Sequence, residues 1–155
     1  MTAGASSKRW SKAKSGKWCK QPRLLSIHEE SLWSRSAAER WVIAEGYIPS
    51  KSHGPEPQMT SHETMCILNS SDQNATVQVT IFYADREPVG PYIIQVPARR
   101  TKHVRFNDLT DPAPIPLDTD YSSLIDSNVR IVVQHTRLDS RQAENALFST
   151  MAFPV

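Results

Sequence analysis

The sequence is short of cysteine, of glycine and of long apolar runs, and each shortage excludes a class of protein. Two cysteines in 155 residues, Cys19 and Cys66, build no disulfide framework, so we expect free thiols in a reducing compartment. Five glycines leave little room for loops that cradle phosphates, and neither a P-loop nor a GxGxxG motif occurs. No apolar run approaches the ~18–20 residues that span a bilayer, and no apolar segment follows the basic N-terminus as in a signal peptide.

The net charge of +2 conceals two regions of opposite charge. Residues 1–23 contain seven of the 18 Lys and Arg residues and none of the 16 acidic ones, so residues 24–155 carry 11 cations against 16 anions. The basic region has too few apolar residues to bury a core, which predicts a disordered basic extension over residues 1–38. Residues 39–155 are predicted to form one domain. A nucleic-acid argument from the whole-chain charge would therefore apply to the extension alone.

Hydrophobic periodicity predicts an all-β domain. Apolar residues alternate over 75–84, with Val77, Val79 and Ile81 on one face, and again over 129–137, where His135 shares the apolar face. Proline-rich loops are predicted at 49–61 and 107–119. Further short strands are predicted at 41–48, 64–68, 92–96, 101–106, 121–125 and 147–153. Seven or eight short strands without a segment of strong helical period favour a single β-sandwich or jelly-roll-like domain.

The stretch 89–108 places several cations on and beside a predicted strand. Alternation puts His103 and Arg105 on one face of this strand and Val104 and Phe106 on the other. The other cations are Arg99, Arg100 and Lys102. Because Arg forks match carboxylates and phosphates, the cations predict either an anion site or pairing with acids of the domain or of another subunit. The excess of acid in the domain favours pairing.

We predict no catalytic residue and no cofactor. The motif GxSxG is absent, and Cys66 lies in a predicted strand without an activating neighbour. A metal site formed by His62, His103 and His135 is a weaker alternative, since imidazole is a common metal ligand. Glu63 stands next to His62, but neighbours on a strand point to opposite faces, which argues against a shared ion.

Several long runs resemble the soluble sensory rhodopsin transducer family. They are WVIAEGYIP (41–49), SHETMCILN (61–69), VPARRTKHVRFNDLTDPAPIP (96–116) and SNVRIVVQHTRLDSRQAENALFSTMAF (127–153). The resemblance covers about residues 40–153, and residues 1–38 have no counterpart. It implies a small cytoplasmic β-sandwich protein that forms a homotetramer. It also implies a non-enzymatic role in photosensing, in which the protein binds the cytoplasmic face of a microbial sensory rhodopsin and relays its light signal.

Two other functions stay open at this point. The resemblance also suggests a sensor that binds a sugar-like metabolite in a polar pocket. The candidate ligand-binding residues are Glu45, Tyr47, His62, Glu63, Arg99, Arg100, His103, Arg105, His135 and Arg137. A DNA-associated regulator is the other alternative, which would use residues 99–105 and the extension. The acidic balance of the domain ranks DNA binding last.

Overall fold

The computed structural model describes residues 10–12, 18–20, 37–142, 144 and 146–155. The chain divides into two units, 1–33 and 34–155. In the first, strands β1 (Trp10–Lys12) and β2 (Trp18–Lys20) pair antiparallel. Two short runs can exchange backbone hydrogen bonds without burying a core. The prediction of disorder was made for residues 1–38, and for 1–9, 13–17 and 21–36 it lies outside the described residues.

The second unit is built of antiparallel strands, which confirms the all-β prediction. A single 3₁₀ turn, Phe106–Asp108, interrupts them, and the described residues contain no α-helix. In this part of the chain, no helix is long and apolar enough to cross a membrane. The strands are β3 (Ala38–Tyr47), β4 (His62–Asn69), β5 (Ala75–Phe82), β6 (Val89–Val96), β7 (Arg100–Arg105), β8 (Asp120–Asp139), β9 (Ala146–Met151) and β10 (Phe153–Pro154).

The long strand β8 is the centre of the sheet. Its first half pairs with β3 and β5, and its second half pairs with β4 and β9. Strand β10 lies beyond β3, β6 beyond β5, and β7 beyond β4. The two halves of β8 therefore belong to two different sets of strands, and β8 itself joins the two sets.

The prediction of two separate strands, 121–125 and 129–137, is wrong. Asp126 and Asn128 between them suggest a turn, but their side chains hold neighbouring segments instead. Asp126 accepts a hydrogen bond from Arg40 at 2.6 Å, and Asn128 accepts one from the backbone N–H of Thr76 at 2.6 Å. Because the polar side chains find partners across the sheet, the backbone continues as one strand.

One hydrophobic core joins both sets of strands. Val77, Val79 and Ile81 of β5 are fully buried, as their alternation predicts, while Phe82 faces outward. Ile125 and Val133, from the two halves of β8, belong to the same cluster. This shared core gives the domain its sandwich-like character, because the apolar faces of both sets bury against each other.

The pairing of β4 with β8 places charged residues at one end of the apolar face. Ile67 lies opposite Val133, Met65 opposite His135, and Glu63 opposite Arg137. Positions two apart on a strand share a face, so Glu63 points to the same side as the buried Met65 and Ile67. The fold therefore buries a carboxylate where the sheet would otherwise continue with apolar residues.

Candidate functional site

The structure divides the ten candidate ligand-binding residues into three groups, which do not line one pocket. Glu45, Tyr47, Glu63, His135 and Arg137 meet around the Glu63 carboxylate. His62 and Arg105 lie against the loop of residues 49–61. Arg99, Arg100 and His103 are exposed at the edge formed by β7. Strand β4 stands between β7 and β8, so about two strand spacings, roughly 10 Å, separate Arg105 and the third group from Arg137. His62 lies on β4 itself, opposite Leu138.

The first group is centred on an ion pair between Glu63 and Arg137. Glu63 is fully buried, and the Arg137 side chain is 16% exposed. Arg137 Nε donates to Glu63 Oε1 at 2.6 Å, and Arg137 Nη2 lies 2.5 Å from the same oxygen. Arg137 Nη1 donates to Glu45 Oε1 at 2.7 Å. One guanidinium therefore bridges a buried carboxylate and the carboxylate of Glu45, whose side chain is 75% exposed.

Three further groups surround the Glu63 carboxylate. Tyr121 Oη donates to Oε2 at 2.6 Å, and the backbone N–H of Tyr47 donates to Oε1 at 2.9 Å. His135 Nε2 lies 3.5 Å from Oε2. Tyr47 thus contributes through its backbone, while its phenol bonds to Asp118 at 3.1 Å. The carboxylate is surrounded by partners from this chain, as a buried charge requires.

These contacts fix the charges of the network at ordinary pH. Burial raises the pKa of Glu63, but the nearby His135 ring, hydrogen bonds from Tyr121 and the Tyr47 backbone, and the charge of Arg137 together hold the pKa below its usual range. Burial and the Glu63 charge raise the pKa of Tyr121. Burial lowers the pKa of Arg137, but its two carboxylate partners raise it by more than that, so the pKa lies above its ordinary value. The network therefore holds an anion, a cation and a neutral phenol, and none of these three is poised for proton transfer near neutral pH.

Gly46 lets Tyr121 reach the carboxylate. A Cβ at residue 46 would lie 2.3 Å from Cε2 of the Tyr121 ring. The pairing of β3 with β8 also shifts register between Ile43 and Gly46. A glycine inside a strand often marks such an irregularity or a close approach, and Gly46 shows both.

Phe148 of β9 covers the network from outside. The Arg137 guanidinium carbon lies 5.3 Å from the centroid of the Phe148 ring, which packs edge-on against His135 at 5.6 Å. An apolar groove of about 180 Å³ runs beside it, between β3 and the C-terminal strands, and reaches Glu45 and His135. Strand β9 is thus the outer wall of the network, although all six of its residues are exposed.

The second group anchors the loop of residues 49–61. Arg105 donates to the carbonyl oxygen of Pro57 at 2.9 Å and to Thr60 Oγ1 at 3.2 Å. His62 Nδ1 lies 2.7 Å from the Thr60 carbonyl oxygen. Asn107 donates to the carbonyl oxygen of Ser61 at 3.2 Å. These side chains hold a loop that was predicted as irregular and is so in the structure.

The alternative of a metal site receives no support in the described residues. His135 is buried, His103 is exposed on β7, and His62 is half-buried at the start of β4. No group of three His, Cys, Asp or Glu side chains within the described ranges is placed to hold a metal ion. Glu63 and His62 point to opposite sides of β4, as alternation predicts.

Two residues of the site were missed by sequence reasoning. Tyr121 was assigned only to a predicted strand, and Phe148 only to a C-terminal strand. Their role depends on the pairing partners of β8, which no local pattern contains. One signal was available for Tyr121: a glycine inside a strand indicates close approach of a large neighbour.

Fold and site together define an all-β domain organised around a buried ion-pair network. The family model described as Anabaena sensory rhodopsin transducer matches residues 36–154. The chain therefore belongs to the sensory rhodopsin transducer family, which confirms the resemblance seen in its sequence.

Solved structures show the same relationship. The structure of the Anabaena sensory rhodopsin transducer is 69% identical, with a TM-score of 0.59, and the match covers 63% of this chain and 94% of that one. The crystal structure of Thermotoga maritima 1070 is 30% identical, with a TM-score of 0.68, and the match covers 76% of this chain and 95% of that one. No curated protein matches the chain.

Proposed function

We propose that this chain is a non-enzymatic cytoplasmic transducer that binds the cytoplasmic face of a microbial sensory rhodopsin and relays its light signal. The observation that carries the proposal is the family match over residues 36–154, together with 69% identity to the Anabaena sensory rhodopsin transducer. The closed Glu63–Arg137 network supports a non-enzymatic role, because the carboxylate is already occupied by groups of the chain itself.

The C-terminal strands offer the surface for protein partners. Residues 146–155 contain no charged side chain. Five of their large apolar residues are exposed: Leu147, Phe148, Met151, Phe153 and Val155. Several large exposed apolar side chains in one short uncharged segment are a feature of interaction sites. We assign to this surface, named the C-terminal face, the contacts of the receptor and of other subunits in a homotetramer.

A calorimetric titration of the full chain with a detergent-solubilised sensory rhodopsin from the same source tests the proposal. We expect saturable binding near one tetramer per receptor, with a difference between dark and illuminated samples. The double variant Leu147→Ser with Phe153→Ser is expected to weaken binding at least tenfold. The control, Ile93→Ser with Leu117→Ser, removes exposed apolar residues outside the C-terminal face and is expected to bind as the wild type does. A flat titration with folded protein would contradict the proposal.

A second candidate function rests on a polar cavity of about 420 Å³ between the loop of residues 49–61 and residues 105–108. Hydroxyl, amide, carboxylate and guanidinium groups line it, including Ser52, Glu56, Arg105 and Asn107. This mixture suits a sugar-like ligand, so the chain would act as a metabolite sensor. Ligand binding would raise the melting temperature. Glu56→Ala should reduce that shift and Glu87→Ala, away from the cavity, should not; no shift from any neutral sugar would count against this function.

A further inference from the structure

The turn between β6 and β7 presents a cluster of cations on a domain that is otherwise rich in acid. Arg99, Arg100 and Lys102 are all exposed and lie within four residues. Residues 24–155 as a whole carry 11 cations against 16 anions. A local reversal of charge at an exposed turn is the kind of feature that a partner of opposite charge recognises. We name these three residues the cationic turn.

Arg99 adopts a backbone conformation that ordinary residues avoid. Its φ is +56°, in the left-handed region, where glycine or asparagine is the usual choice. A bulky side chain persists there only where its surroundings hold it, and such positions cluster at functional sites. The sequence therefore keeps an arginine where glycine would fit with less strain.

Neighbouring side chains hold the turn rigidly. Asn69 is fully buried, and its Nδ2 donates to the carbonyl oxygens of Val96 and Pro97, each at 3.2 Å. Asn74 Oδ1 accepts a hydrogen bond from the backbone N–H of Ala98 at 2.9 Å. The backbone N–H of Arg99 donates to the carbonyl oxygen of Ser71 at 3.1 Å. The backbone that carries the cations is therefore held by the fold, which reduces the backbone entropy that binding would cost.

The ion pair with Asp72 does not explain why residue 99 is an arginine. Arg99 Nε lies 2.5 Å from Asp72 Oδ1, but both side chains are more than two-thirds exposed. Exposed ion pairs contribute little to stability, so another anion can replace Asp72. Protection of the β7 edge against pairing with other strands would explain Arg100 and Lys102, which lie on the strand. It does not explain a strained arginine in the turn that precedes it.

We propose that the cationic turn binds the acidic phospholipid headgroups of a bilayer and orients the β7 edge toward the membrane. The inference rests on the proposed function, because a partner of a membrane receptor works beside a lipid surface. The cations are confined to one turn and the start of β7 rather than to a long stripe that follows a nucleic-acid backbone, and this favours a flat anionic surface.

Flotation of the full chain with vesicles tests this inference. The vesicles contain phosphatidylcholine alone or phosphatidylcholine with phosphatidylglycerol, at low ionic strength. The test variant combines Arg99→Asn, Arg100→Gln and Lys102→Gln, since asparagine tolerates a left-handed backbone. The control combines Lys51→Gln, Arg86→Gln and Arg141→Gln, which removes three exposed cations elsewhere and gives the same net charge. Both variants keep residues 1–23, so the basic extension contributes equally to both.

We expect wild type to bind only the vesicles with phosphatidylglycerol. The test variant should bind them about a hundredfold more weakly, as three basic residues near an anionic surface predict, and the control no more than about fivefold more weakly. Equal losses in both variants, or binding that ignores phosphatidylglycerol, would overturn the proposal. A test variant that loses affinity for duplex DNA but not for vesicles would reassign the turn to nucleic acid. Receptor titration in non-ionic detergent fails only if the proposed function is wrong, so the two failures are distinguishable.

Discussion

Two arginine–carboxylate pairs in this molecule have the same length and different surroundings. Arg137 Nη2 lies 2.5 Å from Glu63 Oε1, and Arg99 Nε lies 2.5 Å from Asp72 Oδ1. The first pair has side chains that are 16% and 0% exposed, the second 72% and 75%. Water screens and competes for the exposed charges, whereas the buried charges depend on each other. The comparison teaches that burial, not distance, decides what each pair does: one holds strands together and the other is free to exchange partners.

Removing the buried carboxylate is expected to have the largest effect. Glu63→Gln keeps the shape of the side chain but leaves the Arg137 charge without its buried partner, so the free energy of unfolding should fall by about 3–5 kcal/mol. Urea unfolding of the full chain measures it. The matched control is Glu45→Gln, which removes the exposed partner of the same arginine and should cost about 1 kcal/mol or less. Equal losses of unfolding free energy in the two variants would show that burial does not decide how much each carboxylate contributes to stability.

Acid should weaken the buried pair selectively. The folded state holds the pKa of Glu63 below its ordinary value of 4.5, so the stabilisation is complete above that pH and is lost as the pH falls through the folded pKa. The difference in unfolding free energy between wild type and Glu63→Gln should therefore narrow as the pH falls below about 4.5. Urea midpoints at a series of pH values measure this. A difference that stays constant into strong acid would argue against a charged Glu63.

Gly46→Ala sharpens the comparison by displacing one partner of the buried pair. The added Cβ would overlap the Tyr121 ring, so the ring must move and its hydrogen bond to Glu63 must lengthen or break. We expect a loss of about 1–3 kcal/mol in urea unfolding. In a Tyr121→Leu background the same substitution should have a much smaller effect. If Gly46→Ala is neutral in the wild-type background, the close approach does not support the network.

Asp72→Asn is expected to have the smallest effect. The Arg99–Asp72 pair is exposed, so the free energy of unfolding should change by less than about 0.5 kcal/mol. Added salt should alter even that small change in unfolding free energy, because salt screens exposed charges. The same urea experiment detects it. A loss above about 1 kcal/mol would mean that the exposed pair is structural, and it would weaken the view that Arg99 can exchange its anion.

Local patterns predict much of the fold and little of the site. Alternation places Val77 and Val79 inside and His135 on the apolar face, because burial of one face imposes a period of two on a strand. The same pattern wrongly predicts two strands in place of β8. Residues 126–128 resemble a turn as long as the partners of their polar side chains are unknown. The sequence of one strand does not by itself determine which distant strand it pairs with.

The candidate site illustrates the same limit. Glu45, Glu63, His135 and Arg137 were named for their chemistry, and the structure brings them together because Glu63 and Arg137 are opposite each other in the β4–β8 register. The cations of β7 were grouped with them because sequence cannot show that β4 lies in between. The longest quoted runs, by contrast, were sufficient to indicate the family that the match over residues 36–154 shows.

The most direct test is a double-mutant cycle on each pair, measured by urea unfolding of the full chain. One cycle combines Glu63→Gln with Arg137→Gln, and the other combines Asp72→Asn with Arg99→Asn. We expect a coupling free energy of about 2 kcal/mol or more for the buried pair and less than about 0.5 kcal/mol for the exposed pair. Equal coupling in the two cycles would contradict the claim that burial gives these two pairs different roles.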